Sequence, residues 1–504
     1  MRLMLARRRD GAFVLKLALA AAAVGLGDFV FWQQQQFAGV QGLFGLALVA
    51  ALALARPAVR RDKRARIALG LAAVYACAQL WDPSPLAFLL FWVAMGLAVL
   101  LPGTAKFDDG WRWFQRLLVH GFKSLFGPLI DLTILSRVRR NRPAGPLGLR
   151  RSLPVLVLPL LGSVLFVWLF AQANPVIERW IAALSLPEFD WTVVPHLILL
   201  GALFTMAWGV LRPRPPRRMF GTFDGSGDVV LPGISLASVT LSLAAFNALF
   251  AMQNLMDLGY LSGAIVLPKG ITLADYAHRG AYPLVATALL AALFVLVTMR
   301  PGSSTAASPL VRRLVTLWTV QNVVLVLSAA VRTWDYVEAY SLTVLRLSAL
   351  LWMALVAVGL VLVLVRMLRG KSASWLINAN LVAAGLLLTP VCFIDLGAVS
   401  ARWNVRHAKE IDGDGAKLDL CYLNELKGSA LLSLVELERR PLPEPLHQQI
   451  RSVRNYVMQR MAQHSADGGW SLALDYRLDK ARRIVGPETA DHDIERPCYG
   501  RYDN

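Results

Sequence analysis

The sequence predicts an all-α fold: a polytopic bundle of about eleven transmembrane helices followed by a small external helical C-terminal region. Three observations predict it. Apolar residues fall into blocks of about 18–22 with almost no internal charge, each long enough to cross a hydrocarbon layer of roughly 30 Å. Only 17% of the 504 residues are charged, against about 25% in soluble chains. Lys and Arg, finally, crowd into alternate loops, as they do when basic connectors stay on the side of synthesis.

The spans are read at 12–32, 37–55, 67–81, 84–101, 153–173, 193–211, 231–257, 282–299, 314–331, 347–365 and 375–394. Only Trp81-Asp82-Pro83-Ser84 separates the third from the fourth. Span one is expected to stay attached, because Phe29-Val30-Phe31-Trp32 carries the apolar run past any small-residue cleavage site. Four segments result: a four-span membrane part (1–101), a basic loop (102–152), a seven-span core (153–394) and the C-terminal region (395–504).

Counting Lys and Arg orients the chain. The loops on the N-terminal side of the membrane hold 30 of them, from Arg2 to Lys371, and the opposite loops hold only Arg179, Lys269, Arg279, Arg332 and Arg346. The N-terminus is therefore expected in the cytoplasm of a bacterial cell and the C-terminal region in the periplasm. The formal charge of +19 is no nucleic-acid signal: residues 395–504 hold 16 basic and 17 acidic residues, so the surplus lies among the membrane loops. A nucleic-acid surface would gather its charge on one folded face.

In the basic loop, Trp111, Phe114, Leu118, Phe122, Leu125 and Leu129 step by three or four, while Arg112, Arg116 and Lys123 take another face. The spacing predicts an amphipathic helix, either lying in the inner interface against anionic headgroups or packed on the bundle. Gly127-Pro128 should interrupt it. Beyond the last span, Leu418, Tyr422, Leu423 and Leu426, and then Ile450, Val453, Val457 and Met461, have helical spacing. Pro441, Pro443, Pro445 and Gly468-Gly469 punctuate them, which predicts three or four short helices without strands. Cys421 and Cys498 both fall here; in an oxidising compartment they can form a disulfide, the alternative being two unrelated thiols.

Polar groups within the spans are the strongest functional clues, since lipid offers them no partner. Asn247, Asn254 and Asp257 share one face of span seven; span nine adds Gln321-Asn322 and span eleven Asn378 and Asn380. They mark either a polar pathway or hydrogen bonding between helices. At the outer ends, Asp275, His278 and Arg279 in one loop and Asp335, Glu338 and Arg346 in another gather charge at one membrane face. That cluster is either a site for a polar ligand or an ion-pair clasp with an aromatic belt. Lys16 can snorkel, and Asp28 needs no special role.

Enzyme signatures fail. Gly370-Lys371-Ser372 has Val365 where a phosphate loop needs glycine, Gly225-Ser226-Gly227 lacks the third glycine of a dinucleotide site, and the seven histidines form no zinc motif. No cofactor or metal is expected.

The strings ADYAHRGAYPL, LWTVQNVVLVLSAAVR, YVEAYSLTVLRLSALLWM and WLINANL resemble an uncharacterised bacterial family of polytopic inner-membrane proteins known only as a domain of unknown function. The resemblance covers roughly Ser235–Asn404 and Leu418–Tyr422 and implies a membrane location, with no substrate, cofactor or catalytic residue attached. Three functional readings follow: an envelope protein that senses, signals or scaffolds without catalysis; a transporter or channel for a small polar solute; and a membrane enzyme acting on lipid or envelope precursors. The expected partners are the bilayer, anionic headgroups at its inner face and an envelope protein.

Overall fold

A computed structural model of the chain describes residues 2–32, 39–104, 107–140, 193–214, 235–264, 293–300, 302–412 and 415–487, with the isolated positions 163, 220, 287, 290 and 291. Among the described residues every regular element is a helix, as the block pattern predicts. The long ones are α1 (Arg2–Phe31), α2 (Val40–Ala55), α3 (Lys63–Trp81), α4 (Pro85–Leu100), α5 (Gly110–Leu125), α6 (Gly127–Arg140), α7 (Val193–Leu211), α8 (Leu236–Leu261), α9 (Pro309–Tyr340), α10 (Val344–Leu368) and α11 (Ala373–Val391). The C-terminal region adds α12 (Leu396–Arg406), α13 (Leu420–Glu425), α14 (Leu431–Glu438), α15 (Glu444–Ala466) and α16 (Leu472–Val485).

Among the described residues seven stretches are long and apolar enough to cross a membrane: residues 13–31 of α1, 85–103 from the start of α4, and all of α7 to α11. The chain is a multi-pass membrane protein. These seven match seven of the eleven expected spans. Of the other four, 37–55 is the 16-residue α2, and 67–81 lies in α3, whose first turn carries Lys63, Arg64 and Arg66. The span 282–299 is helical at its described positions up to Thr298, and 153–173 lies outside the described residues apart from position 163.

The chain divides into two compact units, 1–28 with 121–214 and 29–120 with 215–504. In the first unit Asp131 of α6 is the hub. It accepts from the Trp208 indole at 2.7 Å and pairs with Arg212 at 2.9 Å and Arg214 at 2.6 Å. Asp28, read as needing no role, hydrogen-bonds His196 of α7 at 2.6 Å. A carboxylate on one apolar helix thus meets an imidazole on another.

In the second unit α3 and α4 form a hairpin: Ser84 accepts from the Ala87 amide at 3.2 Å and caps the second helix. Gly42 lets α2 cross α3 closely, since a Cβ there would lie 2.5 Å from the Ala76 carbonyl oxygen. The predicted amphipathic helix is α5, and it stops before Gly127-Pro128 as expected. Phe114, Leu118, Phe122, Leu125 and Leu129 are all exposed, while Trp113, Gln115 and His120 are buried. Its first amide, at Gly110, donates to Asn378 of α11 at 2.8 Å.

Among its described residues the C-terminal region has five helices longer than one turn rather than three or four, and α15 runs to 23 residues. Pro443 and Pro445 lie at the N-terminal end of that helix, where proline costs nothing, and do not break it. Leu423, Leu431, Leu434, Leu437, Ile450 and Met458 are essentially fully buried in one core. Inside it Glu438 takes both arms of Arg454, each at 2.9 Å.

Leu434→Ala should therefore destabilise this region by about 2–5 kcal/mol, whereas Asp479→Ala on its surface should stay within about 0.5 kcal/mol. Amide hydrogen exchange of α14 and α15 in the detergent-solubilised full chain checks both.

Candidate functional site

The polar face of α8 meets α9. Asp257 is 1% exposed and Arg332 6%, and they pair at 3.1 Å. Gln253 donates to the other carboxylate oxygen at 3.0 Å and the Ser328 hydroxyl to the first at 2.9 Å. Asp257 is thus neutralised and its oxygens are occupied. Toward the other end of the interface, Asn247 donates to the Leu314 carbonyl at 3.0 Å and Asn254 to that of Gln321 at 3.1 Å; Gln321 returns a bond to the Asn247 carbonyl at 3.3 Å. The interface is a clasp with a ladder of amides. The side-chain oxygens of Asn247, Asn254, Gln321 and Asn322 accept no hydrogen bond from the described residues.

Of the expected outer cluster, Asp335, Glu338 and Arg346 are described. Asp335 is half-buried, and Glu338, which is exposed, accepts from the Trp334 indole at 2.8 Å. Arg346 lies 3.9 Å over the Tyr336 ring and donates to the carbonyls of Tyr340 and Ser341. This holds the α9–α10 turn, where Ser341 has a left-handed φ of 71°. Asp275, His278, Arg279 and Cys498 lie outside the described residues. Cys421 is disulfide-bonded, while Cys77 and Cys392 are free thiols.

Sequence reasoning missed the junction between bundle and C-terminal region. Asn404 of α12 grips Leu342 from both sides, accepting from its amide at 2.7 Å and donating to its carbonyl at 2.8 Å. Ser400 donates to the same carbonyl at 2.6 Å, and the Tyr422 hydroxyl accepts from the Val344 amide at 2.8 Å. Beside them Arg477 of α16 bridges Asp395, which caps α12, at 2.7 Å and Asp82, in the α3–α4 turn, at 3.1 Å. Burial pushes the Asp82 carboxyl above its ordinary value and the neighbouring Asp395 adds to this, with Arg477 opposing. The only sequence signal for the triad was an acid placed in each of two turns next to a span. Nothing local points to Arg477.

A cavity of 570 Å³ opens beside this triad, between the α3–α4 turn, the start of α10 and the end of α11. A second, of 640 Å³, lies on the C-terminal region. Among the described residues no group of His, Cys, Asp and Glu is arranged to hold a metal ion.

Residues 67–437 match a family model described as "Domain of unknown function (DUF4153)". The match begins well before Ser235, so it takes in part of the N-terminal third as well. No curated protein and no solved structure matches the chain.

Two outcomes test this geometry. Asp257→Ala leaves Arg332 charged and buried, which should cost about 3–5 kcal/mol, while Asp257→Ala combined with Arg332→Leu should recover most of it. Thermal unfolding in detergent compares the two. Because the folded-state value of Asp82 is raised, the folded protein binds this proton more readily than the unfolded chain does. Stability then falls as pH rises through the interval above about 3.9. Asp82→Asn should flatten that slope of Tm against pH.

Proposed function

The chain belongs to the DUF4153 family, whose description assigns no activity, and from that premise we propose a non-catalytic envelope protein of a bacterial inner membrane. In this reading it senses or scaffolds through its C-terminal helical region. One observation carries it: that region holds the α9–α10 turn through Asn404, Ser400 and Tyr422 and the α3–α4 turn through Arg477. A load or ligand on these helices therefore pulls directly on the ends of four bundle helices. Backbone and buried polar contacts of this kind transmit displacement because each has one satisfied arrangement.

The bias of 30 basic residues against five places the N-terminus in the cytoplasm and the C-terminal region in the periplasm in this proposal. An oxidising compartment suits the bonded Cys421, and Cys498 is proposed as its partner. Anionic headgroups at the inner face are the proposed surface for the basic side of α5, and an envelope protein is the proposed partner outside.

A solute path is the second reading, favoured by the four amide oxygens along α8 and α9 that lack donors. Against it stands the closed pair of Asp257 and Arg332 at one end of that row.

In a strain lacking the gene, the full chain and its Asn254→Ala variant should both restore the envelope phenotype, and a chain lacking 418–504 should not. The opposite pattern favours the solute path. A reporter fused after Trp470 should be active only as a periplasmic reporter, and non-reducing peptide mapping should recover Cys421 linked to Cys498.

A further inference from the structure

The two cavities at the junction share a wall, and their linings are chemically opposite. The first has span residues for its floor: Leu351, Trp352 and Leu355 of α10 face Leu387, Leu388 and Val391 of α11. Its polar lining residues include Asp82, Ser84, Ser348, Asp395 and Ser429. The second is lined by Arg402, Arg439, Arg440, Arg477 and Lys480, with Glu436 the one acid among its lining residues. Ser429 lines both, and Gly397 in the first is followed by Ala398 in the second. Gly397 packs directly on Ser429, since a Cβ there would lie 2.9 Å from the serine Cβ.

The cations of the second cavity are not all spent on internal pairs. Arg477 is held by Asp82 and Asp395, and Arg440 stands 3.8 Å from Glu436. Arg402, Arg439 and Lys480 are exposed, and none of them forms an ion pair with a described residue. Guanidinium groups spread over such a pocket fit a phosphate, which accepts two parallel N–H bonds from each. An apolar slot among membrane helices, with a cationic pocket on the other side of Ser429, has the polarity profile of one kind of molecule.

We propose that the junction binds an anionic phospholipid-like amphiphile, its hydrocarbon chain in the α10–α11 slot and its phosphate head between Arg402 and Arg439. Charge complementarity and the continuity of the slot with the spans commit the site to a lipid rather than to a soluble phosphate. The proposal names the ligand class of the C-terminal region and in that sense rests on the sensing reading. Its test reads occupancy alone, so failure sinks the site and leaves the complementation result untouched.

The experiment is native mass spectrometry of the full chain released from nanodiscs containing phosphatidic acid, phosphatidylcholine or an equal mixture of the two. The expected result is one tightly retained phosphatidic acid. Arg402→Glu with Arg439→Glu should weaken retention at least tenfold, and Ser348→Trp, which fills the slot from an exposed position, should do the same without touching a charge. Unchanged elution and thermal unfolding certify that both variants fold. Equal retention of phosphatidylcholine means an annular lipid only and overturns the proposal. So does retention indifferent to both variants, and so does displacement by soluble glycerol phosphate at the concentration at which the lipid itself competes.

Discussion

Hydrocarbon gives a polar atom no partner, so the polar side chains that enter this bundle are held through another helix or their own backbone, even where one of their atoms, as at Asn247, stays unpaired. That single constraint organises the membrane part. Asp257 reaches Arg332, Asn378 receives the Gly110 amide, and the hydroxyls of Tyr75 and Thr389 meet at 2.8 Å across 314 residues of chain. Apolar packing alone would let one helix slide along another, since one leucine surface is much like the next. A satisfied polar pair at one depth costs little there and a great deal at any other depth, and so it pins register. The same logic explains Asp28 with His196 in the other unit. Both groups are about one-third exposed, which suits partners near the end of a span.

At the junction the constraint relaxes and a different economy takes over. Asp82 and Asp395 sit at helix ends, where water is close, yet both turn toward Arg477. Two carboxylates converging on one guanidinium leave a net negative charge, and burial makes that charge costly at Asp82, which is why its carboxyl holds a proton more readily than an ordinary one.

Much of this was legible in the sequence. Uncharged blocks of membrane length identify spans whatever their neighbours do, and the step of three or four from Trp111 to Leu129 identified α5 because an amphipathic stripe is a local property. The shared face of Asn247, Asn254 and Asp257 was equally readable, since seven and three residues bring side chains round to one side of a helix. What those residues do was not. The partner of Asp257 lies 75 residues away, and Arg332 looked like a loop charge because α9 runs on to Tyr340, past the point where its hydropathy fades. Arg477 bridges to a residue 395 positions earlier, a separation no periodicity encodes. Pro443 and Pro445 read as breaks for a related reason: proline ends a helix at one position and begins it at another, and the surrounding fold decides which.

The family match stops at residue 437, inside α14, and the folded unit does not stop there. Leu431, Leu434 and Leu437 of that helix are buried against Ile450, Val453 and Val457 of α15 and Leu478 of α16. A chain ending at the edge of the match would bare the faces of α14 that α15 and α16 cover, and would lose the buried Glu438–Arg454 pair altogether. It would also lose Arg477 and with it the tie between Asp82 and Asp395. The segment beyond the match is therefore a structural completion of the matched part: the core needs its apolar faces, and the bundle turns need its arginine. The match ends at residue 437, while among the described residues the buried core runs on through α15 and α16, because those two helices cover the apolar faces of α14.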